Sequence, residues 1–72
     1  MISYTPFWKT LKASKETTYT LIHHHHISSA TIDRLRHNRG ISTLKLNDLC
    51  RILRCQVDDI LRYEPDENDQ SL

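Results

Sequence analysis

Apolar residues recur along the chain at intervals of three and four, and most such stretches open on a hydroxyl side chain suited to helix capping. Thr5-Pro6 reads as an N-cap followed by proline in the first turn, and Phe7, Trp8 and Leu11 give one apolar face to a helix ending near Lys15. Thr17 or Thr18 caps a second helix whose inward residues include Leu21 and Ile22. Ser28 caps a third, with Ile27 just before the cap and Ile32 and Leu35 three apart on one side. That helix stops around His37: Asn38 tolerates the left-handed backbone of a helix C-terminus, and Gly40 follows in the turn. Ser42 or Thr43 starts a fourth helix, residues 43–53, whose apolar positions Leu46, Leu49, Cys50, Ile52 and Leu53 form the strongest periodic signal in the chain. Gln56 begins a short fifth helix holding Val57, Ile60 and Leu61. From Glu64 onward no apolar face remains, which predicts a frayed tail. Ile2-Ser3-Tyr4 alternates and has the pattern to pair with Arg62-Tyr63-Glu64 as a tiny sheet.

One glycine and two prolines argue against hairpins and for short helices joined by polar turns. The expected fold is therefore all-α: a five-helix bundle with a tiny terminal β pairing. Seventy-two residues make one domain, read as residues 1–65 with an acidic disordered tail at 66–72. A core of this size supplies rarely more than about 5 kcal/mol of net stability, and too few residues remain to wall off a deep pocket. With 38% apolar and 26% charged residues, the chain falls within the globular range. No apolar run approaches a membrane span, and Met1-Ile2-Ser3-Tyr4 lacks the basic and apolar regions of a secretory signal, so a cytoplasmic protein is expected.

The formal net charge of +1 hides an asymmetry. Residues 1–40 hold six basic residues (Lys9, Lys12, Lys15, Arg34, Arg36, Arg39) against two acidic, +4, whereas residues 41–72 hold four basic against seven acidic, −3. A basic front half offers one face to an anion; a mixed solvated surface is the plainer account. Cys50 and Cys55 are too few for a disulfide framework and read as small buried thiols, since no second Cys or His pair lies at zinc-site spacing. No cofactor is expected. An enzyme is not expected either, for there is no Cys-His-acid arrangement, no paired carboxylates on a cleft and no glycine-rich phosphate loop. Asp58-Asp59 opens the fifth helix, where carboxylates complement the helix dipole.

Leu21, Ile27, Ile32 and Leu35 have the spacing of buried positions in a helix-turn-helix, and Ser28 opens its second helix. The segment Ile27-Ser28-Ser29-Ala30-Thr31-Ile32-Asp33-Arg34-Leu35-Arg36 resembles the recognition segment of the Cro/cI-type (lambda-repressor-like) helix-turn-helix family. Residues 46–61 look like that family's last two helices, and Ile2 to Lys9 is similar to a small, single-domain branch of it. The resemblance implies a transcriptional regulator, in the first instance a repressor, that binds double-stranded DNA as a homodimer with its third helix in the major groove. On the matching positions, Ser28, Ser29, Ala30, Asp33, Arg34 and His37 would face the bases. Arg34 would fork onto guanine O6 and N7, and Asp33 would accept from a cytosine amine or orient Arg34. Thr17, Thr18, Arg39, Ser42, Thr43 and Lys45 would hold phosphates through hydroxyls, backbone N–H groups and charge. Ile22 stands where the family usually has a small residue, His26 at the turn position normally held by glycine, and His25 at a half-buried position. Histidine enters left-handed space at modest cost, so the turn survives. The competing function is a protein-interaction module that kept the fold and lost the groove contacts.

His23 to His26 run consecutively between Ile22 and Ile27. Helical neighbours point about 100° apart, so four in a row cannot share one face, and as a metal site the run lacks a fourth ligand. Exposed polar residues at a helix end are the simplest account. If His25 is partly buried, its protonation would place a charge between the helices and weaken the fold or the DNA contact.

Overall fold

A computed structural model describes residues 1–69. In chain order they form β1 (Ile2–Ser3), α1 (Thr5–Ala13), α2 (Thr18–His23), α3 (Ser29–Arg36), α4 (Thr43–Leu53), a 3-10 turn (Val57–Asp59) and β2 (Arg62–Tyr63). The two strands pair antiparallel, Ile2 with Tyr63 and Ser3 with Arg62, as their alternation predicts. Tyr4, Phe7, Leu11, Leu21, Ile27, Ile32, Leu35, Leu49 and Ile60 make a single core to which every helix contributes.

Caps define the helix starts. Thr17 accepts from Thr20 N, Ser28 from Thr31 N and Ser42 from Lys45 N, each satisfying a donor that the first turn leaves without an intrahelical partner. Ile27 and Ile32, both buried, staple the entry to α3 across the Ser28 cap. Left-handed residues define two of the ends. Asn38 has φ 54° and closes α3 with Arg39 N donating to Arg34 O at 2.9 Å; Arg54 has φ 53° and closes α4 with Cys55 N donating to Cys50 O at 3.1 Å.

Several expectations are corrected. The described residues hold four α-helices, not five, because the expected fifth is the 3-10 turn. Only Ile60 of that segment is fully buried, Leu61 is half-buried and Val57 is 50% exposed. The turn cannot lengthen: Ile60 O accepts from Phe7 N at 3.1 Å, filling an open donor of α1, and Arg62 is already in the sheet. Thr5 is the first residue of α1 rather than its cap, since Ser3 Oγ accepts from Thr5 N at 3.2 Å and bonds its hydroxyl at 2.9 Å. The helix ends at Ala13, where Ser14 turns extended. Both thiols are half-buried rather than buried. Burial, then the adjacent Cys50, pushes the Cys55 thiol up to about 11, leaving it protonated and inert at neutral pH.

Residues 66–69, the described part of the expected acidic tail, form a turn in which Asp69 Oδ2 accepts from Tyr63 OH (2.7 Å) and the Met1 α-amino group (2.9 Å). Residues 70–72 lie outside the described residues.

Candidate nucleic-acid interface

Two short helices, α2 and α3, meet at a turn built by His24 to Ser28. His24 N and His25 N both donate to Thr20 O, and Ile27 N donates to Leu21 O at 2.9 Å, which folds the chain back on itself. His26 makes the reversal with φ 60°, so the imidazole occupies the left-handed position that its sequence place requires. Ile22 is half-buried at the core margin, while Leu21 beside it is fully buried.

A hydrogen-bonded chain ties this turn to the α1–α2 connection. Thr17 N donates to Thr20 Oγ1 (2.8 Å), and Thr20 Oγ1 donates to Glu16 Oε1 (2.7 Å). The same carboxylate oxygen lies 3.1 Å from His25 Nε2. The Thr20 hydroxyl first, with His25 contributing, holds the Glu16 carboxyl below its ordinary range. His25 is half-buried as expected, and its Nε2 faces the Glu16 carboxylate rather than an apolar seam.

The inner side of α3 carries Thr31, Ile32 and Leu35, all buried. Its outer side carries Ser29, Ala30, Asp33 and Arg34, with His37 at the C-cap, all exposed. Residues 29, 33 and 37 stack in one column and 30 and 34 in the next, since side chains four apart share a helix face. Arg34 makes no ion pair among the described residues, so its guanidinium is available in full. Arg36 points the other way, its guanidinium 5.5 Å from the centre of the Trp8 ring on α1. Asp33 forms no ion pair with Arg34 among the described residues. Its main-chain oxygen lies 2.9 Å and its Oδ1 3.3 Å from His37 Nδ1. Ser28 is exposed, but its hydroxyl is committed to the cap and to Thr31 Oγ1 at 2.9 Å.

The residues expected at phosphates fall into two groups. Arg39, Ser42 and Thr43 are exposed and Lys45 is half-buried, all on the α3–α4 connection and the first turn of α4. Thr17 and Thr18 begin α2 and line a groove of about 480 Å³ with Trp8, Lys12 and Lys15. Lys12 stands in the last turn of α1 and Lys15 on the connection beyond it, and the sequence pointed to them only through the charge count. A hydroxyl that accepts a capping bond keeps its own proton, so Thr17 and Ser42 remain donors.

The back end of the chain is different in charge. Asp58, Asp59, Glu64, Asp66 and Asp69 lie on the 3-10 turn, on β2's exit and in the final turn. One tyrosine links the sheet to α3: Tyr4 N donates to Asn38 Oδ1 at 3.0 Å and Tyr4 OH to Arg39 O at 2.7 Å. Burial pushes that phenol above its ordinary range, so it stays a donor. The histidine run stays dispersed, with His23 against Tyr19 (ring centres 4.4 Å apart) and His25 on Glu16, and no group of three metal-ligating side chains converges among the described residues. No helix among them is long and apolar enough to cross a membrane.

Residues 7–66 match the family model of the Cro/C1-type HTH DNA-binding domain. Among solved structures, the chain is similar to the crystal structure of the transcriptional regulator VanUg (Form II), with a TM-score of 0.80 and 28% sequence identity over 90% of this chain and 87% of that one. No curated protein matches the chain.

Proposed function

The chain belongs to the family of Cro/C1-type helix-turn-helix DNA-binding domains, and we propose that it is a sequence-specific transcriptional regulator of double-stranded DNA rather than an enzyme. In this reading α3 enters the major groove with its outer columns against base edges, and the protein acts in the cytoplasm as a repressor by occupying its site. The exposed Arg34, unpaired among the described residues and placed in the last turn of a helix whose opposite side is locked into the core, carries the proposal. A guanidinium held that way meets guanine O6 and N7 together, which no other side chain on this face does as well. Ser29 and Ala30 would meet a base edge and a thymine methyl. Thr17 and Thr18 with Lys12 and Lys15 on one side, and Arg39, Ser42, Thr43 and Lys45 on the other, would grip phosphates and set the depth of insertion. One small domain touches few base pairs, so useful specificity calls for two copies on a paired half-site, hence a homodimer.

Selection from a random duplex pool at about 100 mM salt, with Arg34→Ala beside the wild type, tests this. The expected result is a common, two-fold-related site that the variant loses or degrades at one position, at a cost of about 1–3 kcal/mol. No enrichment from folded wild-type protein would sink the proposal and leave the protein-interaction module as the reading to pursue.

A further inference from the structure

Among the outer residues of α3, His37 is held in one defined orientation, and that constraint has a consequence for base recognition. Its Nδ1 faces two oxygens of Asp33, the main-chain carbonyl at 2.9 Å and carboxylate Oδ1 at 3.3 Å. Both oxygens can only accept, so Nδ1 carries a hydrogen whether the ring is neutral or charged. The whole difference between the two charge states is therefore displayed at the other nitrogen. When the ring is neutral, Nε2 presents a lone pair; when it is protonated, Nε2 presents an N–H. The side chain is 56% exposed and stands in the column of Ser29 and Asp33.

Resting on the DNA-binding reading above, we propose that His37 is a specificity residue whose Nε2 reads one base pair with a polarity chosen by protonation. As an acceptor it favours a base that offers an amine to the major groove; as a donor it favours a base that offers acceptors there. Cytosine and guanine make the sharpest contrast, because cytosine shows N4–H₂ alone and guanine shows only O6 and N7. Asp33 is then a positioning residue that acts through the ring, fixing its tautomer, and need not touch a base. The charged groups about the ring are few. Asp33 is in contact with it on the same helix, Arg34 and Arg36 are neighbours in sequence, and no carboxylate of another element comes within 4.0 Å of it among the described residues.

The test repeats the pool selection at about pH 5.5 and about pH 8, the range over which imidazoles change charge, with salt held constant. Wild type, His37→Gln and Asp33→Asn are compared, each checked for folding by circular dichroism. The wild type should select one common site at both pH values, with the cytosine-to-guanine ratio at a single position shifting by about fivefold or more, the worth of one hydrogen bond. His37→Gln, which cannot titrate, should lose the shift and keep the rest of the site. Asp33→Asn keeps the main-chain carbonyl that faces Nδ1, so the shift should survive in it. A change in affinity with pH that leaves the base profile the same counts against the inference. Identical base profiles at both pH values overturn the inference while leaving DNA binding intact, as does a shift that persists in His37→Gln. No enriched site at either pH overturns the DNA-binding reading and this inference with it.

Discussion

Glu16 is a half-buried acid whose role lies in its partners. Its Oε1 receives the Thr20 hydroxyl and faces His25, so one carboxylate oxygen joins the start of α2 to the turn that follows it. A carboxyl held below its ordinary range adds stability that is present above the unfolded-state value and disappears as pH falls through the folded-state value. Replacing Glu16 by Gln should therefore destabilise the protein near neutrality, and the gap from wild type should close as pH is lowered beneath the ordinary glutamate range. Urea melts across pH 3 to 7 would show it, and a gap independent of pH would mean that the charge is immaterial. Residue types made other details readable in advance. Asn38 and His26 are among the few non-glycine residues that accept positive φ readily, and both adopt it. Arg54 gives no such hint, and its left-handed backbone was not foreseeable from its side chain.

Elements were legible where local signals agreed. Helix α4 has a capping serine and a sustained three-four rhythm, and it spans the expected Thr43–Leu53. Helices α2 and α3 carry their own caps, and the turn between them is marked by position. The segment from Gln56 to Leu61 misled because its apolar spacing suits an α-helix, while its real geometry is set by long-range demands: a carbonyl for Phe7 N, another for Thr10 Oγ1 at 2.8 Å, and an immediate turn into β2. No local rule contains those partners. The Asp33–His37 contact, by contrast, is an i,i+4 pair that helical spacing does contain, although Asp33 was read with its neighbour Arg34. The 3-10 geometry makes an unequal prediction for two similar residues. Ile60→Ala, at a fully buried site, should cost about 2–5 kcal/mol, whereas Val57→Ala should stay within about 0.5 kcal/mol. Chemical denaturation of both variants measures this, and equal losses would mean that the segment packs as a true helix.

At the scale of the whole molecule, the charge imbalance along the chain maps onto particular elements. Basic residues lie on α1, α3 and the approach to α4, and acids gather around the 3-10 turn and the strand after it. If Lys12, Lys15, Arg39 and Lys45 each neutralise a phosphate, the logarithm of affinity should fall with the logarithm of salt at a slope of about −3 to −4 per bound copy. Fluorescence anisotropy on a selected duplex reads that slope directly, and a value near zero would contradict the assigned phosphate contacts. The latch of Tyr4 on Asn38 and Arg39, together with Phe7 N on the Ile60 carbonyl, bears on how the chain comes off the ribosome. Residue 7 must wait for residue 60, and β1 for residues 62 and 63, before either finds its partner. Until those late residues emerge, the end of α3 is tethered to an opening segment that has no sheet to rest on. The face of α3 proposed to meet DNA thus matures only as translation of the domain finishes, and a shortened chain lacking β2 would present α3 without its brace.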